Sequence, residues 1–317
     1  NDPHLGLFLP SLWYEMQLHS PSHMSYGVSF PGAPGIIIGF NDSCSWGVTN
    51  ASRDVKDYNE IRFKDEKKQE YWFNGEWKSS VLRFDTIRIR GANTMYDTVA
   101  YTIFGPVQYD NKFTGADRTP GTINLAVRWQ AHDPSNELKT FFLLNRARNY
   151  DDYVEAIKHF ECPAQNFVFA SKSNQVAIWQ QGVFPAKWRR QGDFIMPGED
   201  STYMWQDTIP QIENPHVLSP TRGFVSSANQ LATDTTYPYY QGGSFDLYRG
   251  MQINRSLQKM HNISPQDMQK LQTENYNILA ESILPLMVRN VDEEELDADE
   301  LKYFNMARRW NKRNDAS

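Results

Sequence analysis

Residues 166–180 read NFVFASKSNQVAIWQ, and this stretch decides how the first two-thirds of the chain is interpreted. Two runs rich in β-branched and aromatic residues, 166–170 and 175–180, flank the polar stretch 171–174, which is the pattern of a β-hairpin. A second hairpin is predicted at 71–77, where an Asn-Gly pair suited to a tight turn lies between aromatic residues. These two segments predict antiparallel β structure.

The remainder of the first 240 residues continues this pattern, with one predicted helix. The helix covers 150–160, with Asp151 or Asp152 as its N-cap. Further β-like runs are predicted at 81–90, 98–104, 122–129 and 138–145.

Helical spacing replaces the β pattern after residue 240. Ser264 followed by Pro265 is typical of an N-cap with proline at the first helical position. The acidic run 292–300 is interpreted as the solvated start of a final helix. Many strands followed by several helices indicate the α+β class, with a β-rich unit at 1–240 and a helical segment at 241–317. The predicted helices cover 247–261, 268–274, 278–288 and 295–310.

Composition excludes several classes of protein. The 317 residues are 40% hydrophobic and 22% charged, which excludes a disordered chain. A net charge of −6 with scattered basic residues argues against nucleic-acid binding. The longest apolar-rich runs, near 35–40 and 278–288, fall short of the roughly 20 residues that a membrane span needs. Cys44 and Cys162 could form one disulfide, but two separate buried thiols are favoured, and no cysteine–histidine cluster predicts zinc.

Several short motifs follow one another in a specific order. They are NDPHL at 1–5, FPGAPG at 30–35, WGVTN at 46–50, DVKD at 54–57, GFVSSAN at 223–229, Tyr248-Arg249 and RWN at 309–311. Together they resemble the β subunit of the penicillin acylase (penicillin amidase) family of N-terminal-nucleophile hydrolases, and the resemblance covers nearly the whole chain.

This resemblance implies an αββα core with antiparallel sheets and a specific chemistry. The family hydrolyses amides with an N-terminal serine that is freed when a precursor cleaves itself. The α-amine of that serine, with an ordinary pKa of about 8, serves as the general base. The tetrahedral intermediate then needs hydrogen-bond donors aimed at its oxyanion. No cofactor takes part in the reaction.

Four residues match catalytic positions of the family. The resemblance implies that the Asn229 side-chain amide donates to the oxyanion and that the Asn50 backbone N–H is the second donor. His4 would steer the nucleophile's amine, and Arg249 would interact with the catalytic asparagine. The alternative for each is structural: a loop or turn asparagine, a buried histidine, or a salt-bridged surface arginine.

Two further sets of residues are implied less directly. Asp54 and Asp57 match two carboxylate ligands of a structural calcium, with Gly192 near the expected backbone ligand. The family's third carboxylate has no clear counterpart, and solvated loop acids are the alternative. Apolar residues match the acyl pocket, although core packing would explain them equally well: Leu5, Ile38, Val48 and Phe167.

The resemblance places the attacking serine upstream of Asn1. We therefore expect these residues to be a piece of a longer enzyme, inactive alone and completed by an α subunit from the same precursor. The expected substrate is a small acyl amide: a β-lactam side chain, an acyl-homoserine lactone or an acylated peptide. Family members are commonly periplasmic or secreted, and export is expected here too.

Two alternatives remain open. A non-catalytic binding module could use some of the nine tryptophans and sixteen tyrosines for sugar stacking, and it predicts that Asn229 and Asn50 lie far apart. A family member that has lost its serine could act as a scaffold. The residue that stands at the nucleophile position in the complete reading frame distinguishes the scaffold from the enzyme.

Overall fold

The computed structural model of the chain describes residues 9–110 and 123–315. Its strands are β1 Tyr14–Ser20, β2 His23–Ser29, β3 Ile38–Asn41, β4 Cys44–Asn50, β5 Lys56–Glu60, β6 Glu70–Phe73, β7 Glu76–Ser79, β8 Val81–Ile87, β9 Met95–Thr102, β10 Gly105–Tyr109, β11 Leu125–Trp129, β12 Gln165–Ser171, β13 Val176–Gln181, β14 Met196–Pro197 and β15 His216–Leu218. Its α-helices are α1 Glu137–Leu144, α2 Tyr150–Ile157, α3 Tyr248–Leu257, α4 Pro265–Gln272, α5 Ile278–Arg289 and α6 Ala298–Arg309.

The strands form two large sheets and one small one. The first sheet has the order β1-β2-β3-β4-β12-β13-β15, with every neighbouring pair antiparallel. The second has the order β14-β5-β11-β10-β9-β8, antiparallel except for the short β14–β5 pair. Strands β6 and β7 pair separately. The α+β prediction is confirmed.

Both predicted hairpins are present. Strands β12 and β13 pair from Gln165 opposite Gln181 to Ala170 opposite Val176. In the β6–β7 turn, Asn74 and Gly75 have φ of 52° and 82°, the left-handed pair that a two-residue hairpin turn requires.

The prediction of a strand at 138–145 is wrong, because this segment is helix α1. Asn136 caps the helix by accepting a hydrogen bond from the Lys139 N–H at 3.2 Å. Phe141 and Leu144 are buried on one face, whereas Leu138 and Phe142 are half exposed. A short apolar run does not distinguish a strand from a helix. Here the Asn136 cap and the burial of two residues three positions apart identify a helix.

Among the described residues before 240 there are therefore two α-helices rather than one. The N-cap of α2 is Asn149, not Asp151 or Asp152, since the Asn149 side chain accepts from the Asp152 N–H at 2.9 Å. The two aspartates lie in the first turn, where negative charge favours the helix dipole.

The helical segment follows the sequence closely. Ser264 and Asp267 form a capping box around Pro265 at the start of α4. The acidic run 292–300 holds a 3₁₀ turn at Glu293–Glu295 before α6 begins after Asp297. Every described strand precedes residue 240 and helices α3 to α6 follow it, while the division into two units at that point stays a prediction. Among the described residues, none of the helices is long and apolar enough to cross a bilayer.

The main core lies between the first sheet and helices α1 and α2. It includes the fully buried side chains of Ile36, Leu144, Tyr153, Ile157 and Phe167. Cys44 belongs to this core and Cys162 to a smaller one, and both are free thiols. Burial raises the pKa of both thiols to about 11, so neither is a thiolate near neutral pH.

Asn145, at the C-terminal end of α1, makes four buried hydrogen bonds: two to Ile36 just before β3, one to Ser25 of β2 and one to Phe141 of α1. Its Oδ1 accepts from the Ile36 N–H at 2.9 Å and from the Ser25 hydroxyl at 3.1 Å. Its Nδ2 donates to the carbonyls of Ile36 at 2.8 Å and Phe141 at 2.7 Å. Because the side chain is 2% exposed, water cannot replace these partners once it is removed.

We expect Asn145→Ala to lower the free energy of unfolding by about 3 kcal/mol, because several buried polar groups lose their partner. Chemical denaturation of the complete protein measures this. Asn305→Ala is the control: the Asn305 side chain bonds only within α6, donating to the Leu301 carbonyl and accepting from the exposed Arg308, so its loss should cost about 1 kcal/mol or less. Equal losses in both variants would contradict the assignment of Asn145 as the link between helix and sheet.

Candidate active site

The candidate site lies at the C-terminal end of β4, where β4 pairs with β12. Asn50 lies opposite Gln165, and the pairing continues inward with Thr49 opposite Asn166. The Ala51 N–H donates to the Ala164 carbonyl at 3.1 Å, on the β12 side. Successive residues of a strand direct their N–H and C=O groups to alternate edges, so both backbone groups of Asn50 face the edge away from β12.

That edge of β4 is open at this point within the described part of the chain. Strand β3 pairs with β4 only at Ser45 and Trp46, four or five residues before Asn50. The Asn50 carbonyl accepts a hydrogen bond from the Asn229 side-chain Nδ2 at 2.8 Å. The Asn50 N–H therefore faces the same region as the Asn229 amide, although 179 residues separate the two positions.

The orientation of the Asn229 amide is fixed from both ends. Its Nδ2 donates to the Asn50 carbonyl, and its Oδ1 accepts from Arg249 Nη2 at 2.9 Å. A guanidinium only donates and a backbone carbonyl only accepts, so the amide oxygen and nitrogen cannot be exchanged. Nδ2 carries a second hydrogen, which leaves one donor for a ligand.

The backbone of Asn229 is itself unusual. Its φ is 64°, in the left-handed region that asparagine tolerates better than most residues. Such conformations cluster at functional sites, where the surrounding structure holds them in place.

Arg249 is oriented by an acidic neighbour. Arg249, in the first turn of α3, donates through Nε to Asp246 Oδ2 at 2.7 Å while Nη2 reaches Asn229. Asp246 also accepts from the Tyr248 N–H at 2.9 Å. The hydrogen bond from Arg249 is the main reason that the pKa of Asp246 lies below its ordinary value, so this carboxylate stays ionised at neutral pH.

A buried polar cluster supports the other side of the site. Asn166, 3% exposed, donates through Nδ2 to the Ser227 hydroxyl and the Thr49 hydroxyl, both at 3.2 Å, and to the Asn50 carbonyl at 3.3 Å. The Thr49 and Ser227 hydroxyls are 2.5 Å apart. These contacts fasten the segment that carries Asn229 to β4 and β12.

Sequence reasoning did not identify Asn166, Ser227 or Asp246. Ser227 stands two residues before Asn229 in a motif that was recognised, and Asp246 stands three residues before Arg249. A polar residue two or three positions before a candidate site residue is the signal that could have found both. Asn166 looked like an ordinary strand residue, and only the β4–β12 register reveals its position.

Asn50, Asn229 and Arg249 lie together in the structure. The alternative of a binding module predicts instead that Asn229 and Asn50 lie far apart. His4 and Leu5 lie outside the described residues. Phe167 is fully buried and packs against Phe141 and Phe160 in the main core. Ile38 is also in that core and Val48 packs against it, so their roles in an acyl pocket stay predictions.

The two predicted calcium ligands hold an ammonium group instead of an open space. Lys187 Nζ lies 2.8 Å from Asp54 Oδ2 and 2.7 Å from Asp57 Oδ1. Within the described residues no group of three or more histidine, cysteine or acidic side chains could hold a metal ion. A calcium ion needs six to eight oxygen ligands, so these two carboxylates with a lysine between them do not fit it.

Comparisons with known proteins find acylases among the proteins similar to this chain. The chain is 28% identical over 246 residues to an acyl-homoserine lactone acylase, QuiP, of Pseudomonas aeruginosa, covering 75% of this chain and 29% of the relative. It is 23% identical over 230 residues to penicillin G acylase of Escherichia coli, covering 72% of this chain and 26% of the relative. The chain thus spans less than a third of the length of these relatives.

The fold has a solved counterpart in a thermostable penicillin G acylase from Alcaligenes faecalis. The TM-score is 0.78 at 19% identity, over 100% of this chain and 57% of that one, which confirms the predicted N-terminal-nucleophile hydrolase fold. The family description "Penicillin amidase" matches residues 1–317. Since that match extends over the whole sequence, the chain belongs to the penicillin amidase family.

Proposed function

We propose that this chain supplies the oxyanion-binding half of an amidohydrolase that cleaves a linear acyl amide. The observation that carries the proposal is the hydrogen bond from Asn229 Nδ2 to the Asn50 carbonyl, which places this amide beside the Asn50 N–H at an edge of β4 that is open within the described residues. Two donors aimed at one point can stabilise the negative charge that develops on a carbonyl oxygen during acyl transfer. Neither donor has to reorient, because Arg249 and the Asn50 carbonyl already fix the asparagine amide.

The attacking group in this proposal is an N-terminal serine that the 317 residues do not contain. Its hydroxyl attacks the amide carbonyl, and its own α-amine accepts the proton and later passes it to the leaving amine. The intermediate's oxyanion accepts hydrogen bonds from Asn229 and Asn50. Water then attacks the acyl-enzyme ester, and the acid product leaves. His4 would orient the α-amine by a hydrogen bond.

The substrate class is inferred from the names of the relatives, and no particular acyl group or amine is proposed. Proteins named acyl-homoserine lactone acylase and penicillin G acylase share the family, so a small amide that joins an acyl chain to an amine is the proposed substrate. An α subunit from the same precursor would complete the pocket. Leu5, Ile38 and Val48 of this chain are proposed for its acyl side, whereas Phe167 is fully buried in the main core. We also propose that the complete protein is exported to the periplasm or secreted.

We expect Asn229→Ala to lower kcat roughly 100- to 1,000-fold with little change in KM, because it removes an oxyanion donor that acts mainly in the transition state. The measurement is steady-state hydrolysis of an acyl-amide panel by the complete, self-processed protein. Asn290→Ala, at the exposed end of α5, is the matched control and should retain full activity. Full activity in Asn229→Ala would contradict the proposed role.

Arg249 should act through the asparagine. We expect Arg249→Met to lower kcat by roughly 10- to 100-fold, because the Asn229 amide is then free to rotate away from the reacting oxygen. Arg255→Met is the control, since Arg255 is a similarly exposed arginine of α3 that pairs with Glu281. If the Arg249 and Arg255 variants lose activity equally, the positioning role of Arg249 is disproved.

The 317-residue chain, purified alone, should hydrolyse none of the amides that the complete protein cleaves, because the proposed nucleophile lies outside it. The same acyl-amide panel checks this, with the complete protein as the positive control. Hydrolysis by the short chain would overturn the assignment of the nucleophile. Hydrolysis by neither protein would favour the inactive scaffold.

A further inference from the structure

A buried lysine lies between a buried and a partly buried aspartate at the start of β5. The side chains of Lys187 and Asp57 are 2% and 3% exposed, and that of Asp54 is 17% exposed. The Nζ–Oδ distances of 2.8 and 2.7 Å are those of charge-assisted hydrogen bonds to two different carboxylates. Lys187, in the segment that follows β13, thereby links that segment to Asp57 of β5 and to Asp54 just before β5.

The surroundings of this cluster are tight. Trp205 Nε1 donates to the second oxygen of Asp57 at 2.6 Å. A Cβ atom on Gly192 would lie 2.1 Å from Asp57 Oδ1 and 2.9 Å from Lys187 Nζ. A Cβ atom on Gly242 would lie 2.6 Å from the Asp54 Cβ. Both glycines have positive φ, and their backbones close over the cluster from two sides.

The charges explain why the lysine is retained. Two carboxylates and one ammonium leave one net negative charge in the cluster. Without the ammonium, two like charges would lie close together, with no other cation of the described residues within salt-bridge distance. Breaking a buried pair by removing one partner is strongly destabilising for that reason.

We propose that the Lys187 ammonium is the cation of this site, so that the structure at the start of β5 does not depend on calcium for its stability. A divalent ion between Asp54 and Asp57 would have to displace the ammonium, and the two positive groups would repel each other at short range. The lysine therefore excludes a metal by occupying its place and by its charge.

Metal content of the complete protein tests the proposal first. After treatment with EDTA, the wild-type protein should keep its Tm within about 1 °C when millimolar calcium is restored, because a ligand stabilises only a state that binds it. Equilibrium dialysis against calcium should show no bound ion that depends on Asp57. A stoichiometric calcium that disappears in Asp57→Asn, together with a Tm that falls in EDTA, would overturn the proposal.

Variants of the lysine give an independent test. Lys187→Met should lower the Tm by roughly 5 to 10 °C, because it leaves a buried and a partly buried carboxylate without a cation. Asp57→Asn added to Lys187→Met should recover part of the loss, since one uncompensated charge is removed. Lys158→Met is the control, because Lys158 pairs with Glu155 on the surface and should shift the Tm by about 1 °C or less.

Calcium should raise the Tm of Lys187→Met and leave the wild-type Tm unchanged, since only the variant presents two carboxylates without the competing ammonium. A Tm of Lys187→Met equal to that of the wild type, or calcium stabilising both proteins equally, would contradict the proposal. If Lys187→Met does not fold, the wild-type metal measurements decide the question.

Discussion

The pairing of β4 with β12 positions both the main core and the candidate site. It places Val48 and Phe167 on the face packed by helices α1 and α2, and Thr49 and Asn166 on the opposite face. A slip of one residue would exchange the two faces, burying polar groups and exposing the core. The core therefore fixes the register, and the register fixes where the backbone groups of Asn50 point.

The candidate site uses that rigid edge as its reference. Asn229 arrives from a loop far along the chain, and its amide is held by a strand carbonyl on one side and by Arg249 on the other. Ionised Asp246 holds Arg249 in turn. Donors that are oriented in advance stabilise a developing charge without reorganising during the reaction, which is the main electrostatic advantage of an enzyme over water.

Local signals allowed much of the fold to be predicted. The Asn74-Gly75 turn and the Ser264-Pro265 cap are decided by neighbouring residues, and both are present. The segment 138–145 was mistaken for a strand because a short apolar run fits either element, although the local Asn136 cap marks the start of a helix. The site was reached through ordered motifs that named Asn229 and Arg249, whereas Asn166 and Lys187 contact their partners across more than a hundred residues, which no local pattern reveals.

The central claim is that the Asn229 amide and the Asn50 N–H bind one oxyanion. The most direct measurement is a crystal structure of the complete, processed protein bearing a tetrahedral phosphonate adduct on its nucleophile. We expect one phosphonate oxygen about 3 Å from both Asn229 Nδ2 and the Asn50 nitrogen, the distance at which such donors act. An adduct whose oxygens all face away from these two groups would contradict it.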